Sequence, residues 1–82
     1  MDGLGDNRVL VAPNHTMARH YGELHGIHRS KTIADSPMPL RGVSKDVVIL
    51  VIDSHLLSKE TLQMISMLEK FGNRVHNIES LR

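Results

Sequence analysis

Residues 47–52 read Val-Val-Ile-Leu-Val-Ile, the longest unbroken apolar run in the chain. A strand with one face in water alternates apolar and polar residues, whereas this run is apolar on both faces. Such a run is typical of a central strand in a parallel sheet, which has helices packed on either side. It therefore predicts an α/β fold, and the neighbouring segments are interpreted around it.

Shorter strand and helix patterns flank this run on both sides. Further strands are predicted at residues 8–12, 31–34 and 74–78. A helix follows the first strand, with Asn14 or Thr16 as its N-cap and with Met17, Tyr21 and Leu24 on one face. A single helical turn is predicted at 37–41, and a last helix, capped by Ser54 or Ser58, is predicted to end at Phe71-Gly72.

The predicted order of elements is β-α-β-β-α-β. Parallel strands need right-handed crossovers, so the simplest arrangement is a small parallel sheet with strand order 2-1-3-4 and helices on both faces. We expect one α/β domain at residues 8–78, a flexible leader at 1–7 and a C-terminal tail at 79–82.

Composition limits the classes of function. The chain has 82 residues, a net charge of +1, one Tyr, one Phe and no Cys. The absence of Cys excludes disulfides, thiolate metal sites and a cysteine nucleophile, and it suits a cytoplasmic protein. No apolar run is long enough to cross a membrane. The weak positive charge and scarce aromatics give little support to a nucleic-acid partner.

Sheets of this order bind ligands at the topological switch point, where the connections that follow two neighbouring parallel strands run in opposite directions along the sheet. Here that point lies between the first and third strands. The candidate ligand crevice is therefore lined by Asn14, His15, Thr16, Asp53, Ser54 and His55. The segment 13–16 lacks the glycines and lysine of a phosphate loop, although the apolar strand ending in Asp53 is similar to the magnesium-positioning strand of nucleoside triphosphatases. We expect neither tight ATP binding nor a cofactor.

Catalytic patterns are weak throughout the chain. His15, Asp53 and His55 could form a site of two histidines and one carboxylate, but no close ligand spacing supports it, so no metal site is predicted. No Ser-His-acid arrangement or paired-carboxylate site is recognisable. The sequence predicts no catalytic residue.

The last helix carries more apolar residues than one buried face needs. Leu57, Met64, Ile65, Leu68 and Phe71 fall on one broad stripe and are predicted to face the sheet. The remaining apolar residues form a candidate interaction surface and are Leu56, Leu62 and Met67. The partner would be another protein or a second copy of the chain, giving a homodimer.

The segments 9–12, 26–27, 40–42 and 46–53 together resemble small uncharacterised α/β proteins of actinobacterial phages. Those proteins look like fragments of a helicase- or terminase-type Rossmann-like sheet, and the likeness covers about residues 8–78. The resemblance implies a fold and an accessory role toward host or phage partners. The leading hypothesis is a small non-enzymatic interaction protein; the alternative is a nucleotide- or nucleic-acid-binding domain that uses the crevice between strands 1 and 3.

Overall fold

The computed structural model describes residues 7–79; residues 1–6 of the predicted leader and 80–82 of the predicted tail lie outside this range. The bounds of the main elements are β1 Arg8–Ala12, α1 His15–Leu24, β2 Thr32–Ala34, β3 Val48–Ile52, α2 Lys59–Lys70 and β4 Arg74–Ile78. Short 3-10 turns lie at Arg29–Lys31, Met38–Leu40 and Ser54–Leu56. No helix within residues 7–79 is long and apolar enough to span a lipid bilayer.

All neighbouring strands are parallel, and the sheet order is β2-β1-β3-β4, which confirms the predicted topology. The register places Val11 between Ile33 on one side and Val51 on the other. β3 is an interior strand, and its residues 49–52 are buried on both faces of the sheet. The apolar run at 47–52 therefore has the position that its composition predicts.

Alternate side chains of the interior strands enter two hydrophobic clusters, one on each face of the sheet. The cluster beneath α2 contains Val11, Ile33, Leu40, Ile49, Val51, Leu57, Ile65 and Leu68. The cluster beneath α1 contains Leu10, Ala12, Ala18, Ile27, Leu50 and Ile52. The crossover from β1 to β2 and the crossover from β3 to β4 run in opposite directions along the sheet. Because both crossovers are right-handed, their helices lie on opposite faces.

The ends of both helices follow local sequence signals. Asn14 is the N-cap of α1, and its Oδ1 accepts the backbone N–H of Met17 at 2.9 Å. Gly26 follows α1 with a φ of +69°, and Gly72 follows α2 with a φ of +113°. Glycine adopts this left-handed region without a steric penalty, so each one ends its helix.

Phe71 was predicted to be buried and is exposed instead. Phe71 is 62% exposed, and Leu24, at the end of the predicted apolar face of α1, is 65% exposed. Phe71 lies just beyond the last residue of α2 and, at 100° per residue, about 90° from the centre of the buried stripe. The buried residues of α2 are Thr61, Ile65 and Leu68, so the buried stripe ends before Phe71 and begins with a threonine. The prediction that Phe71 belongs to the core is wrong.

Asn73 is a buried polar residue at the amino-terminal edge of the sheet. Its side chain is 4% exposed, and Nδ2 donates to the carbonyls of Ser44 at 2.7 Å, Lys45 at 3.3 Å and Val47 at 2.9 Å. The two N–H groups of the amide are therefore shared among three carbonyls of the loop that leads into β3. This contact fixes the start of β3 beside the start of β4.

Candidate functional site: the carboxyl edge of the sheet and the α2 groove

Polar residues follow three neighbouring strands where those strands end. Asn14 lies after β1, Asp35 after β2 and Asp53 after β3. Because these strands are adjacent and parallel, their carboxyl ends lie along one edge of the sheet, where ligands of such folds bind. Asp35 and Asp53 both have left-handed backbones, with φ of +48° and +47°. Aspartate tolerates this conformation better than most residues, so the two turns favour it.

The segment that follows β1 faces α1 and β2. The Asn14 amide is used as the cap of α1, while His15 and Thr16 are exposed. His15 lines a cleft of about 310 Å³ between α1 and β2, which we call the α1 cleft. The cleft is lined by His15, Ala18, Arg19, Arg29, Thr32 and Ala34. Residues 53–55 do not line it, and ligand binding at the β1–β3 crevice stays a prediction.

The segment that follows β3 is partly occupied by structural contacts. Asp53 is 4% exposed, and its backbone N–H donates to the carbonyl of Ile78 at 2.8 Å. Ser54 and His55 lie in the following 3-10 turn, where His55 is exposed. Among residues 7–79, no three His, Asp or Glu side chains lie close enough together to hold a metal ion. His15, Asp53 and His55 therefore do not converge into the two-histidine, one-carboxylate set.

Asp35 links the sheet edge to the start of α2. One of its oxygens, Oδ1, accepts both the backbone N–H and the hydroxyl of Ser58, each at 3.1 Å. The Ser58 hydroxyl also lies 3.1 Å from that of the fully buried Thr61. The backbone N–H of Ser58 is the main cause of a lowered pKa of Asp35; burial acts in the opposite direction, and the Thr61 and Ser58 hydroxyls lower the pKa further. Asp35 thus has a structural role.

A groove of about 370 Å³ lies between α2 and the 3-10 turn Met38–Leu40, and we call it the α2 groove. It is lined by Pro37, Met38, Arg41, Glu60, Gln63, Met64 and Met67. Met38 is 67% exposed and Met67 is 50% exposed. Phe71 lies one helical turn beyond Met67 and continues the same side of α2. Met38, Met67 and Phe71 are three of the six exposed large apolar side chains within residues 7–79.

The candidate interaction residues do not all lie at this groove. Leu56, Leu62 and Met67 are all exposed, as expected. Met67 lines the α2 groove, whereas Leu56 and Leu62 do not. At 100° per residue, Leu62 is about 140° around the helix from Met67, so a single flat surface cannot contain both. Sequence reasoning found Met67 but missed Met38, whose place beside α2 depends on the loop between β2 and β3.

No protein-family model matches the chain, and no curated protein or solved structure is significantly similar to it.

Proposed function

We propose that this chain is a small, non-enzymatic interaction protein that associates with a second copy of itself through the α2 groove. The observation that carries the proposal is the exposure of Met38 and Met67 in a single groove, with exposed Phe71 one helical turn beyond Met67. Met, Phe and Arg are enriched in protein interfaces relative to other surfaces, and all three types occur here. Methionine side chains adapt their shape readily to an apolar partner.

Charge complementarity favours a second copy as the occupant. Arg41 stands on the wall formed by the 3-10 turn, and Glu60 stands on the opposite wall, in the first turn of α2. Neither side chain forms an ion pair within residues 7–79. In a two-fold interface, a contact between Arg41 and the partner's Glu60 is repeated in reverse by symmetry. The groove can therefore satisfy both of its charges against an identical groove.

An interface of ordinary size would cover a substantial share of the surface of this small molecule. A stable interface buries about 800 Å² on each partner. The accessible surface of the chain is 5512 Å², so about one seventh of it would be covered. The groove must be supplemented by neighbouring side chains, and Phe71 at the end of α2 is the largest one available.

The setting of this activity is also part of the proposal. We place the protein in the cytoplasm, as its lack of Cys favours, and assign it the accessory role that the resemblance to phage proteins implies. Nucleotide or nucleic-acid binding at the β1–β3 crevice has less support, because the cleft lined by His15 opens toward β2 instead.

The experiment compares two exposed apolar residues on different sides of α2. Met67→Glu places a charge in the groove, and Leu62→Glu is the matched control outside it. Sedimentation velocity over a range of concentrations should show a dimer for the wild type and for Leu62→Glu, and a monomer for Met67→Glu. A monomeric wild type, or equal dissociation of both variants, would overturn the proposal.

A further inference from the structure

The α1 cleft has a chemistry different from that of the α2 groove. Two arginines, Arg19 from α1 and Arg29 from the 3-10 turn before β2, line the same opening together with His15. None of the residues that line the α1 cleft carries a carboxylate. Glu23 lines only an adjoining depression of about 210 Å³, which Arg19 and Arg29 also border. The cleft is therefore a concentration of positive charge in a nearly neutral protein.

These charges are available to a ligand. Within residues 7–79, neither the Arg19 nor the Arg29 side chain forms an ion pair or a side-chain hydrogen bond. Asp35 directly follows Ala34, which lines the cleft, and Oδ1 of Asp35 accepts hydrogen bonds from Ser58. Two unpaired arginines that face one cavity match the charge and planar hydrogen-bonding geometry of a phosphate group.

The neighbouring polar groups have defined hydrogen-bonding roles. The backbone N–H of Ser30 donates to Nδ1 of His28 at 3.2 Å, which leaves Nε2 as the ring nitrogen that carries the proton when the ring is neutral; His28 borders the adjoining depression. The Thr32 hydroxyl donates its only proton to the carbonyl of Arg29 at 2.8 Å. Thr32 can therefore only accept from a ligand, which suits a ligand hydroxyl.

The floor of the cleft leaves space beside the phosphate. The small residues Ala18 and Ala34 line it, and Ala18 is almost fully buried. A volume of about 310 Å³ lies at the lower limit for small-molecule sites. The space fits a phosphate group with a small organic part, such as a sugar.

We propose that the α1 cleft binds the phosphate group of a small phosphate monoester, held between Arg19 and Arg29. This site shares His15 with the predicted β1–β3 crevice but otherwise lies on the β2 side of β1, and it does not depend on self-association through the α2 groove. A dianionic monoester would have both of its charges balanced by the two guanidinium groups.

Isothermal titration calorimetry with ribose 5-phosphate, inorganic phosphate, ribose and an unphosphorylated oligothymidylate tests this proposal. Ribose 5-phosphate should bind with a Kd below about 1 mM, more tightly than inorganic phosphate, and ribose should not bind. Arg19→Gln and Arg29→Gln should each weaken binding at least about tenfold, a loss of about 1.4 kcal/mol. Arg74→Gln, an exposed arginine on edge strand β4, is the matched control and should leave binding unchanged.

Three results would overturn the assignment. They are no binding of either phosphate probe, equal weakening by Arg74→Gln and Arg19→Gln, and tighter binding of the oligothymidylate than of ribose 5-phosphate. The last result would assign the cleft to the phosphodiester backbone of a nucleic acid. Arg19 and Arg29 are exposed, so their replacement should leave the fold intact, which amide NMR spectra of each variant would verify.

Discussion

The carboxylate of Asp35 accepts the backbone N–H of Ser58 at 3.1 Å, across 23 residues of sequence. Ser58 directly precedes α2, and its own hydroxyl does not cap the helix. A residue at the end of edge strand β2 therefore supplies the acceptor that the start of α2 needs. This contact ties the short edge strand to the helix on the opposite side of the sheet from α1.

Stability should depend on pH through Asp35. Its pKa is lower in the folded protein, so its stabilising contribution is complete above the ordinary value of about 4 and is lost as pH falls through the folded pKa. Asp35→Asn keeps an acceptor oxygen and tolerance of the left-handed backbone but cannot titrate. In urea titrations the wild type should exceed Asp35→Asn near neutral pH by about 0.5–1 kcal/mol, at the low end for a cap because of solvent screening. The two should converge at acid pH; a difference independent of pH would contradict this role.

Gly22 marks the closest approach between α1 and β2. A Cβ at this position would lie 2.8 Å from Cγ2 of Thr32, a β-branched side chain with little freedom to move. Gly22→Ala should therefore destabilise by about 1–3 kcal/mol, although the same change in an open helix stabilises. Adding Thr32→Ser removes Cγ2 but keeps the hydroxyl. The double variant should therefore recover most of the lost stability, as measured by thermal or urea unfolding. Equal stability of the single and double variants would show that the contact is not limiting.

Asn73 should be difficult to replace even by its closest relative. Asn73→Ala removes the side-chain donor to three carbonyls of the 44–47 loop and should cost about 1–3 kcal/mol, although the Ser44 carbonyl keeps the backbone N–H of Val47. Asn73→Asp should cost more, because a buried carboxylate would face those carbonyl oxygens. The order of urea midpoints at neutral pH tests this: wild type, then Ala, then Asp. An Asp variant as stable as the wild type would argue against the donor role of Nδ2.

Substitutions at Ile49 and Phe71 test which apolar residues pack in the core. Ile49 is fully buried in the centre of β3, so Ile49→Ala should lower the free energy of unfolding by about 2–5 kcal/mol. Phe71 is mostly exposed, so Phe71→Ala should change the stability of the monomer by less than about 0.5 kcal/mol. Comparable losses for the two variants would mean that Phe71 packs in the core after all.

Most of the fold could be predicted because its signals are local. The apolar run at 47–52 identifies an interior parallel strand, and Asn14, Gly26 and Gly72 mark helix ends. Burial of Thr61 could not be predicted from periodicity, because a hydroxyl is acceptable in the core only if a partner such as Ser58 is present.

The candidate surfaces were less predictable, for a different reason. Met38 and Met67 are 29 positions apart, and they meet at one groove only because the irregular loop after β2 returns to α2. Likewise, Arg19 and Arg29 face the same cleft because the tight turn at Gly26 brings the 3-10 turn back beside α1. Such relationships depend on loop geometry, which residue patterns specify poorly.

A pair of charge reversals tests self-association through the α2 groove most directly. In a two-fold dimer, Arg41→Glu alone places two carboxylates opposite each other twice, and Glu60→Arg alone does the same with two guanidinium groups. In an equimolar mixture, a heterodimer of the two variants restores both opposite-charge pairs. Sedimentation velocity should show monomers for each variant alone and a dimer for the mixture. A mixture that remains monomeric, or single variants that dimerise as the wild type does, would contradict the account.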